Sequence, residues 1–437
     1  MPRKKVLILA TVIVLIGFLA TTARAFAASK EKVLFSFDDA DGYMPASGVI
    51  FDASGNLYGT TWFGPGCGGV FKLVPTAKGK WAETLLYTFN DADGCAPIGG
   101  LIFDASGNLY GTTESGGVNG YGYGTVFELS PGSDGTWTET VLYSFCSISG
   151  CADGATPWGG LVLDAAGNLY GTTQYGGSCQ TYYLGCGTVF ELTPSAVGGW
   201  TEKVLHSFNN DGKDGSWPLA RLTIDAAGNL YGMTTYGGGA HNYACKTLGC
   251  GTVFELTPST GGGWTETILH SFNGKDGFRP DYNIIFDHSG NLYGTTVAGG
   301  HVGCEISTGG CGVVFQLTPG TDGKWTEKVL RSFYHGRTPT GVTLDGEGNV
   351  YGTTWIGGRY GCCGDGPGTA YRLTPEADGR WSETTLHSFG KSGDGTNPSG
   401  GLVFDAFGNL YGTTQCGGIS GCGSYGYGCG IVFEISP

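Results

Sequence analysis

One phrase recurs seven times along this chain of 437 residues: an aliphatic pair, then D-x-x-G-N-L-Y-G-T-T or a close variant. Its aspartate falls at Asp52, Asp104, Asp164, Asp225, Asp287, Asp345 and Asp405, at intervals of 52 to 62 residues. A period of that size signals a repeat architecture, in which one unit cannot bury its apolar faces alone and must stack on its neighbours. Each unit holds four strand-like pieces. In the second unit these are Leu101-Ile102-Phe103, Asn108 to Thr113, Gly124 to Leu129, and Trp137 to Phe145. The last piece alternates: Trp137, Glu139, Val141, Tyr143 and Phe145 share one side, and Thr138, Thr140, Leu142 and Ser144 the other. Alternation with β-branched and aromatic residues reads as strand. Between the first two pieces, Asp104 to Asn108 supply a side-chain acceptor and a glycine able to take positive φ, which suits a tight hairpin. Gly accounts for 84 residues without a strict three-residue period, which excludes collagen and penalises any helical bundle.

Four strands per unit, seven times over, predict an all-β, seven-bladed β-propeller. The chain ends agree. Glu31 to Phe37 matches the fourth strand of a unit, as in Glu202 to Phe208, whereas Ile431 to Ile435 matches the third. The seventh unit thus lacks a fourth strand and the N-terminus carries a spare one. Setting the spare strand in the gap closes the ring and removes the exposed edges. An open solenoid is the competing reading, but it has no need of complementary ends.

The first residues read as a leader. Arg3, Lys4 and Lys5 precede an apolar run from Val6 to Ala20, and two A-x-A sites follow, at Ala23 to Ala25 and Ala25 to Ala27. Residues 1–27 are therefore expected to be a signal peptide and 28–437 the propeller, with a retained membrane anchor as the alternative. Removing 1–27 takes the formal charge from −14 to −18, since that segment holds Arg3, Lys4, Lys5 and Arg24 and no acid. So acidic a body repels nucleic acid and anionic membranes. All 15 Cys follow the leader. Export and disulfides go together, so a secreted, periplasmic or cell-surface location is expected.

The repeated phrases resemble those of the Gloeobacter–Verrucomicrobia (GloVer) tandem repeat. Clear matches are Asn168 to Thr173, Gly187 to Pro194 and Trp264 to Phe272. The resemblance spans nearly the whole chain after the leader and implies a bacterial, exported repeat protein. Such proteins often end in a surface-anchoring segment, and none is expected from the residues up to Pro437. The resemblance implies no particular activity.

If the short aliphatic strand is innermost, the second-to-third loops and the connectors between units open on one face, and the uniform D-x-x-G-N turns on the other. Six connectors carry D-G-x-x-P, with Asp41, Asp93, Asp153, Asp214, Asp276 and Asp394; the remaining one reads His335-Gly336-Arg337. These carboxylates would ring one channel mouth and could hold Ca²⁺, an ion that takes oxygen ligands. Plain Asp-Gly turn chemistry is the competing reading. Cysteines bracket single loops at Cys146/Cys151, Cys179/Cys186, Cys245/Cys250, Cys304/Cys311 and Cys422/Cys429, which predicts local disulfides. Cys67 shares the position of Cys186 without a nearby mate, and Cys95 and Cys416 have no evident mate.

Trp62, Trp158, Trp217, Phe278, Trp355 and Tyr360 fall outside the repeat consensus on the same face, with His335 and Arg337 at the exceptional connector. Exposed aromatics there could stack on sugars or grip a peptide, or simply pack against neighbouring loops. No nucleophile elbow, zincin motif or phosphate-binding loop occurs. The expectation is an exported recognition or scaffold module for an extracellular glycan or protein, without a catalytic residue that can be named. An extracellular lyase or hydrolase acting on polysaccharide and a purely structural envelope protein are the alternatives.

Overall fold

A computed structural model describes residues 29–118, 122–179, 184–196, 198–209, 211–239, 245, 248–300, 311–334, 337–360, 366–418 and 428–437. The expected leader, Cys304, His335 and Cys422 lie outside them. The described chain forms seven four-stranded antiparallel sheets, one for each repeat. Blade 3 is typical, with strands Val162–Leu163, Leu169–Thr173, Thr188–Pro194 and Trp200–Ser207 in sheet order. Blade 7 takes Gly395–Phe404, Leu410–Gly417 and Ile431–Ser436 from the C-terminus and Lys30–Ser36 from the N-terminus. Lys30 faces Ser436, Val33 faces Phe433, and Ser36 faces Ile431. The closing strand also touches the outer strands of blades 6 and 1. The ring is shut by hydrogen bonds between the two ends of the chain.

The D-x-x-G-N-L-Y phrase is a hydrogen-bond device. Asp164 Oδ1 accepts the backbone N–H groups of Ala166 and Asn168, each at 2.8 Å. Its Oδ2 accepts Asn168 Nδ2 at 2.9 Å and the Tyr170 hydroxyl at 3.1 Å. Gly167 takes φ 89°, which a Cβ would strain. Burial pushes the Asp164 carboxyl up, but the bonds from Asn168, Tyr170 and Ala166 outweigh it and hold the group below its ordinary value. The recurring tyrosine is thus framework: its ring is buried while its hydroxyl closes the turn.

The core lies between blades. Among the described residues there are seven apolar clusters, and each draws on two neighbouring blades. At every interface the Phe that ends one outer strand meets the third-strand ring of the next blade. The pairs are Phe37–Phe71, Phe89–Phe127, Phe145–Phe190, Phe208–Phe254, Phe272–Phe315, Phe333–Tyr371 and Phe389–Phe433, with centroids 4.9 to 5.2 Å apart. Most meet edge to face, the arrangement favoured by ring quadrupoles. The glycine of L-Y-G-T-T makes room for the third-strand ring: a Cβ on Gly171 would stand 2.5 Å from Phe190 Cζ.

One detail departs from simple alternation. Leu142 was expected beside Thr138, Thr140 and Ser144, yet it is buried. The outer strand shifts register there: Tyr143 faces Val126 and Val141 faces Phe127, leaving Leu142 as the extra residue of a bulge. The same slip at Leu34 lets the closing strand fit as a true fourth strand.

Gly171→Ala is expected to destabilise the ring by about 1–3 kcal/mol through overpacking, measured by denaturant unfolding. Adding Phe190→Leu should recover part of the loss. Wild-type stability in Gly171→Ala would show that the ring does not need this space.

Candidate functional site: the loop-rich mouth

In six units the second strand, or the residues just past it, pairs with the incoming connector: Tyr43 with Phe63, Cys95 with Ser115, Ala155 with Tyr175, Ser216 with Tyr236, Phe278 with Ala298 and Thr396 with Cys416. The next connector residue is left-handed in the same six units: Met44, Ala96, Thr156, Trp217, Arg279 and Asn397 have φ of 57 to 59°. A non-glycine residue there costs about 1 kcal/mol. In return its N–H reaches the carbonyl ahead of the preceding blade's third strand, as from Ala96 to Cys67 at 2.8 Å and from Trp217 to Cys186 at 2.8 Å. The proline that follows packs on the glycine beside that carbonyl; a Cβ on Gly187 would stand 2.6 Å from Pro218 Cδ. Each of these six connectors is therefore latched to the blade before it.

This latch explains a disulfide that spacing did not reveal. Cys67 and Cys95, without evident mates in the sequence, bond to each other. Ala96 is latched to Cys67, so its neighbour Cys95 is delivered to the same place. The local bonds Cys146–Cys151, Cys179–Cys186 and Cys245–Cys250 form as expected. Cys311 and Cys429 are disulfide-bonded to partners outside the described residues. Cys416 is free among the described residues, and burial pushes its thiol up.

The latches gather side chains from several blades. Trp62 of blade 1 meets Trp158, at the entry to blade 3, with centroids 6.2 Å apart. Trp62 also stacks on Phe63 at 5.0 Å, and Phe63 on Tyr43 at 5.6 Å. Contact across two blades is possible only near the axis. Further round, Tyr175, Trp217 and Tyr236 form a second run with centroids 5.4 and 5.2 Å apart. Glu114 links the runs. Burial raises its carboxyl, a hydrogen bond from Trp62 opposes this, and its charge in turn helps raise the Tyr175 hydroxyl.

Deeper in the mouth, blades 4 and 5 break the small-residue pattern. A Cβ on Gly48 would stand 2.5 Å from the Gly401 carbonyl oxygen, and one on Gly99 2.2 Å from Thr112 Oγ1. Blade 4 places Arg221 and blade 5 places Asp281, Tyr282 and Asn283 in the corresponding segments. All four keep partial solvent exposure. Arg221 Nε donates to the Leu161 carbonyl at 3.1 Å, and Asn283 bonds both backbone groups of Val342. Asp281 accepts from the Thr235 hydroxyl at 2.7 Å and from Arg279 Nη2 at 3.2 Å. Burial pushes the Asp281 carboxyl up despite both partners. The mouth thus combines aromatic side chains from blades 1 to 4 with polar side chains from blades 4 and 5.

The expected residues are thus divided. Trp62, Trp158 and Trp217 come to the mouth. Trp355 is 40 % exposed, and its carbonyl accepts from Asn397. Phe278 is a correction, since it is buried in the core between blades 4 and 5. Tyr360 lies apart, in a pocket of about 420 Å³ on blade 6 with Arg337, Arg359, His387 and Lys391. Glu114, Tyr175, Tyr236, Arg221 and Tyr282 were missed. Each stands where the repeat usually carries another residue, and that departure was the available signal.

The six connector aspartates do not gather at the mouth. Each lies beside the outer strand of its own blade, facing a glutamate from the next. Tyr87 donates to Asp93 at 2.7 Å and Tyr143 to Asp153 at 2.8 Å. His206, His270 and His387 occupy the tyrosine position beside Asp214, Asp276 and Asp394. Burial, and then the nearby aspartate, push Glu83, Glu139 and Glu202 up to about 7. Their Oε1 atoms are buried without a hydrogen-bond partner. The exceptional interface reverses the charge. Arg331 and Arg337 each reach Glu383 at 2.7 Å, and Arg337 also lies over the Phe333 ring, 4.7 Å from its centroid. Arg337 is therefore engaged within the ring, with Nη1 on Glu383 and Nη2 donating to the Thr369 hydroxyl at 3.1 Å.

These glutamates make stability pH-dependent. Their folded values lie above the ordinary 4.5, so their stabilisation is complete below about 4.5 and lost as pH rises through 7. The melting temperature should fall between about pH 5 and pH 8. In Glu139→Gln/Glu202→Gln the fall should be shallower, because an amide cannot ionise. Equal slopes in the two proteins would show that these carboxyls are ionised in the ring.

The model of the Gloeobacter/Verrucomicrobia repeat matches residues 24–245 and 242–437. No protein of curated function matches the sequence. Among solved structures, a streptogramin B lyase is similar with a TM-score of 0.53 and 16 % identity, covering 93 % of this chain and 97 % of its own. A luciferin-regenerating enzyme is similar with a TM-score of 0.43 and 11 % identity, over 94 % and 95 % of the two chains. At such identities the likeness concerns the fold alone.

Proposed function

This chain belongs to the Gloeobacter/Verrucomicrobia repeat family, and from that premise we propose that it is an exported recognition module that binds a neutral glycan at its loop-rich mouth. The observation that carries the proposal is the Trp62–Trp158 contact, backed by Phe63 and Tyr43 and bordered by Glu114. Sugars offer C–H faces to aromatic rings and hydroxyls to carboxylates, amides and guanidinium groups. The arc supplies the first kind of partner, and Asp281, Arg221 and Asn283 supply the second. The formal charge of −14 disfavours a polyanionic ligand. The disulfides support an extracellular setting.

An extracellular lyase or hydrolase acting on the same ligand is the second reading. It is favoured by Glu114 and Asp281, two carboxyls that burial raises toward the range of a general acid.

The test is a glycan array followed by calorimetry with the disulfide-intact protein. Saturable binding to one class of neutral glycan is expected. Trp62→Ala should weaken it at least tenfold, about 1.4 kcal/mol. A blank array, or full affinity in Trp62→Ala, would remove the proposal. Bond cleavage in the bound glycan would favour the enzyme.

A further inference from the structure

Among the described residues, two of the interfaces between blades carry a set of donors that the others lack. Between blades 3 and 4, His206 Nε2 lies 3.5 Å from Asp214 Oδ2 and 3.8 Å from Glu266 Oε1. All three donor atoms lie within 4.8 Å of one another. Between blades 6 and 7, Glu31, His387 and Asp394 form the equivalent group within the same limit, with His387 Nε2 2.9 Å from Asp394 Oδ2. We infer that each group is a site for a divalent transition-metal ion of the zinc class, joining one blade to the next.

Three features support this. The first is spacing. Ligand atoms at about 2.0–2.1 Å from a tetrahedral zinc stand about 3.3 Å apart, so His206, Asp214 and Glu266 need only a small closing movement. The second is lack of other partners. His206 Nε2 and Glu266 Oε1 are shielded from solvent and have no hydrogen-bond partner outside the group, and Glu31 Oε1 is in the same state. The third is orientation. Asp214 is held by the backbone N–H groups of Gly215 at 2.6 Å and Asn209 at 2.9 Å. Asp394 is held by those of Gly395 at 2.7 Å and Gly390 at 3.2 Å. Such outer bonds aim a ligating carboxylate.

One nitrogen and two carboxylates, with a fourth position left for water, suit zinc better than calcium, which takes six to eight oxygens. The other interfaces serve as internal controls. Blades 1 and 2 carry Tyr87 and Tyr143, whose hydroxyls satisfy the aspartate directly. Blade 4 brings His270 within 3.3 Å of Asp276, but Glu327 does not join them in a group. The second site has a structural consequence. Glu31 lies on the strand that closes the ring, so a metal there fastens that strand to blade 6.

Zinc titration of the metal-free, disulfide-intact protein by calorimetry tests the inference. Two equivalents should bind, and the melting temperature should rise with zinc. His206→Tyr and His387→Tyr should each bind one equivalent and the double variant none. His270→Tyr should still bind two. Tyrosine at this position already serves blades 1 and 2, so the variants keep the fold, which unfolding without zinc verifies. Glu266→Gln, which leaves the histidine–aspartate pair intact, should weaken the first site at least tenfold. Absence of saturable zinc binding, or two equivalents retained in the double variant, would overturn the assignment. Equal displacement by calcium would overturn the choice of metal.

Discussion

Everything in this molecule depends on the pairing of Lys30–Ser36 with Ile431–Ser436. It gives blade 7 its fourth strand and leaves the ring with only short, protected edges. Had the two ends paired elsewhere, blade 7 would present an open strand, and the interfaces on either side of it would lose their partners. The closing strand is fitted to that duty in detail. It has the bulge of every outer strand, the Phe37 that packs on Phe71, and Glu31 in the position of Glu139 and Glu202.

With the circle fixed, the same contacts are demanded seven times. The paired rings and the glycine that clears space for them recur because each interface has the same geometry. Invariance therefore marks load on the framework, and departures mark freedom or function. Arg221, Asp281, Tyr282 and Asn283 depart together at the axis, and Trp62, Glu114, Trp158 and Trp217 depart around the mouth. These concentrate where side chains from different blades can meet, which is the pattern a binding site grafted on a repeat ring would leave.

The exceptional connector has a different meaning. Where six interfaces set a carboxyl against a carboxyl, the interface of blades 5 and 6 sets two guanidinium groups against Glu383. Losing the aspartate leaves room for a cation, and Arg337 fills it. The gap that reads in sequence as a cationic break in a ring of carboxylates is a compensated charge swap inside the wall.

The sequence by itself determined the number of blades, their four strands, the closing strand, the Asp-centred turns and the loop-closing disulfides. The strands, turns and disulfides are written in short local segments, through alternation, turn chemistry or short cysteine spacing, and the blade count and closing strand in how those segments recur along the chain. Tertiary structure alone decided that Trp62 meets Trp158, that Cys67 meets Cys95, and that Phe278 is core. It also moved the connector aspartates from the supposed mouth to the blade interfaces. These outcomes depend on the curvature from blade to blade and on where a left-handed connector residue latches. Both are set by the whole ring, and no single repeat contains them.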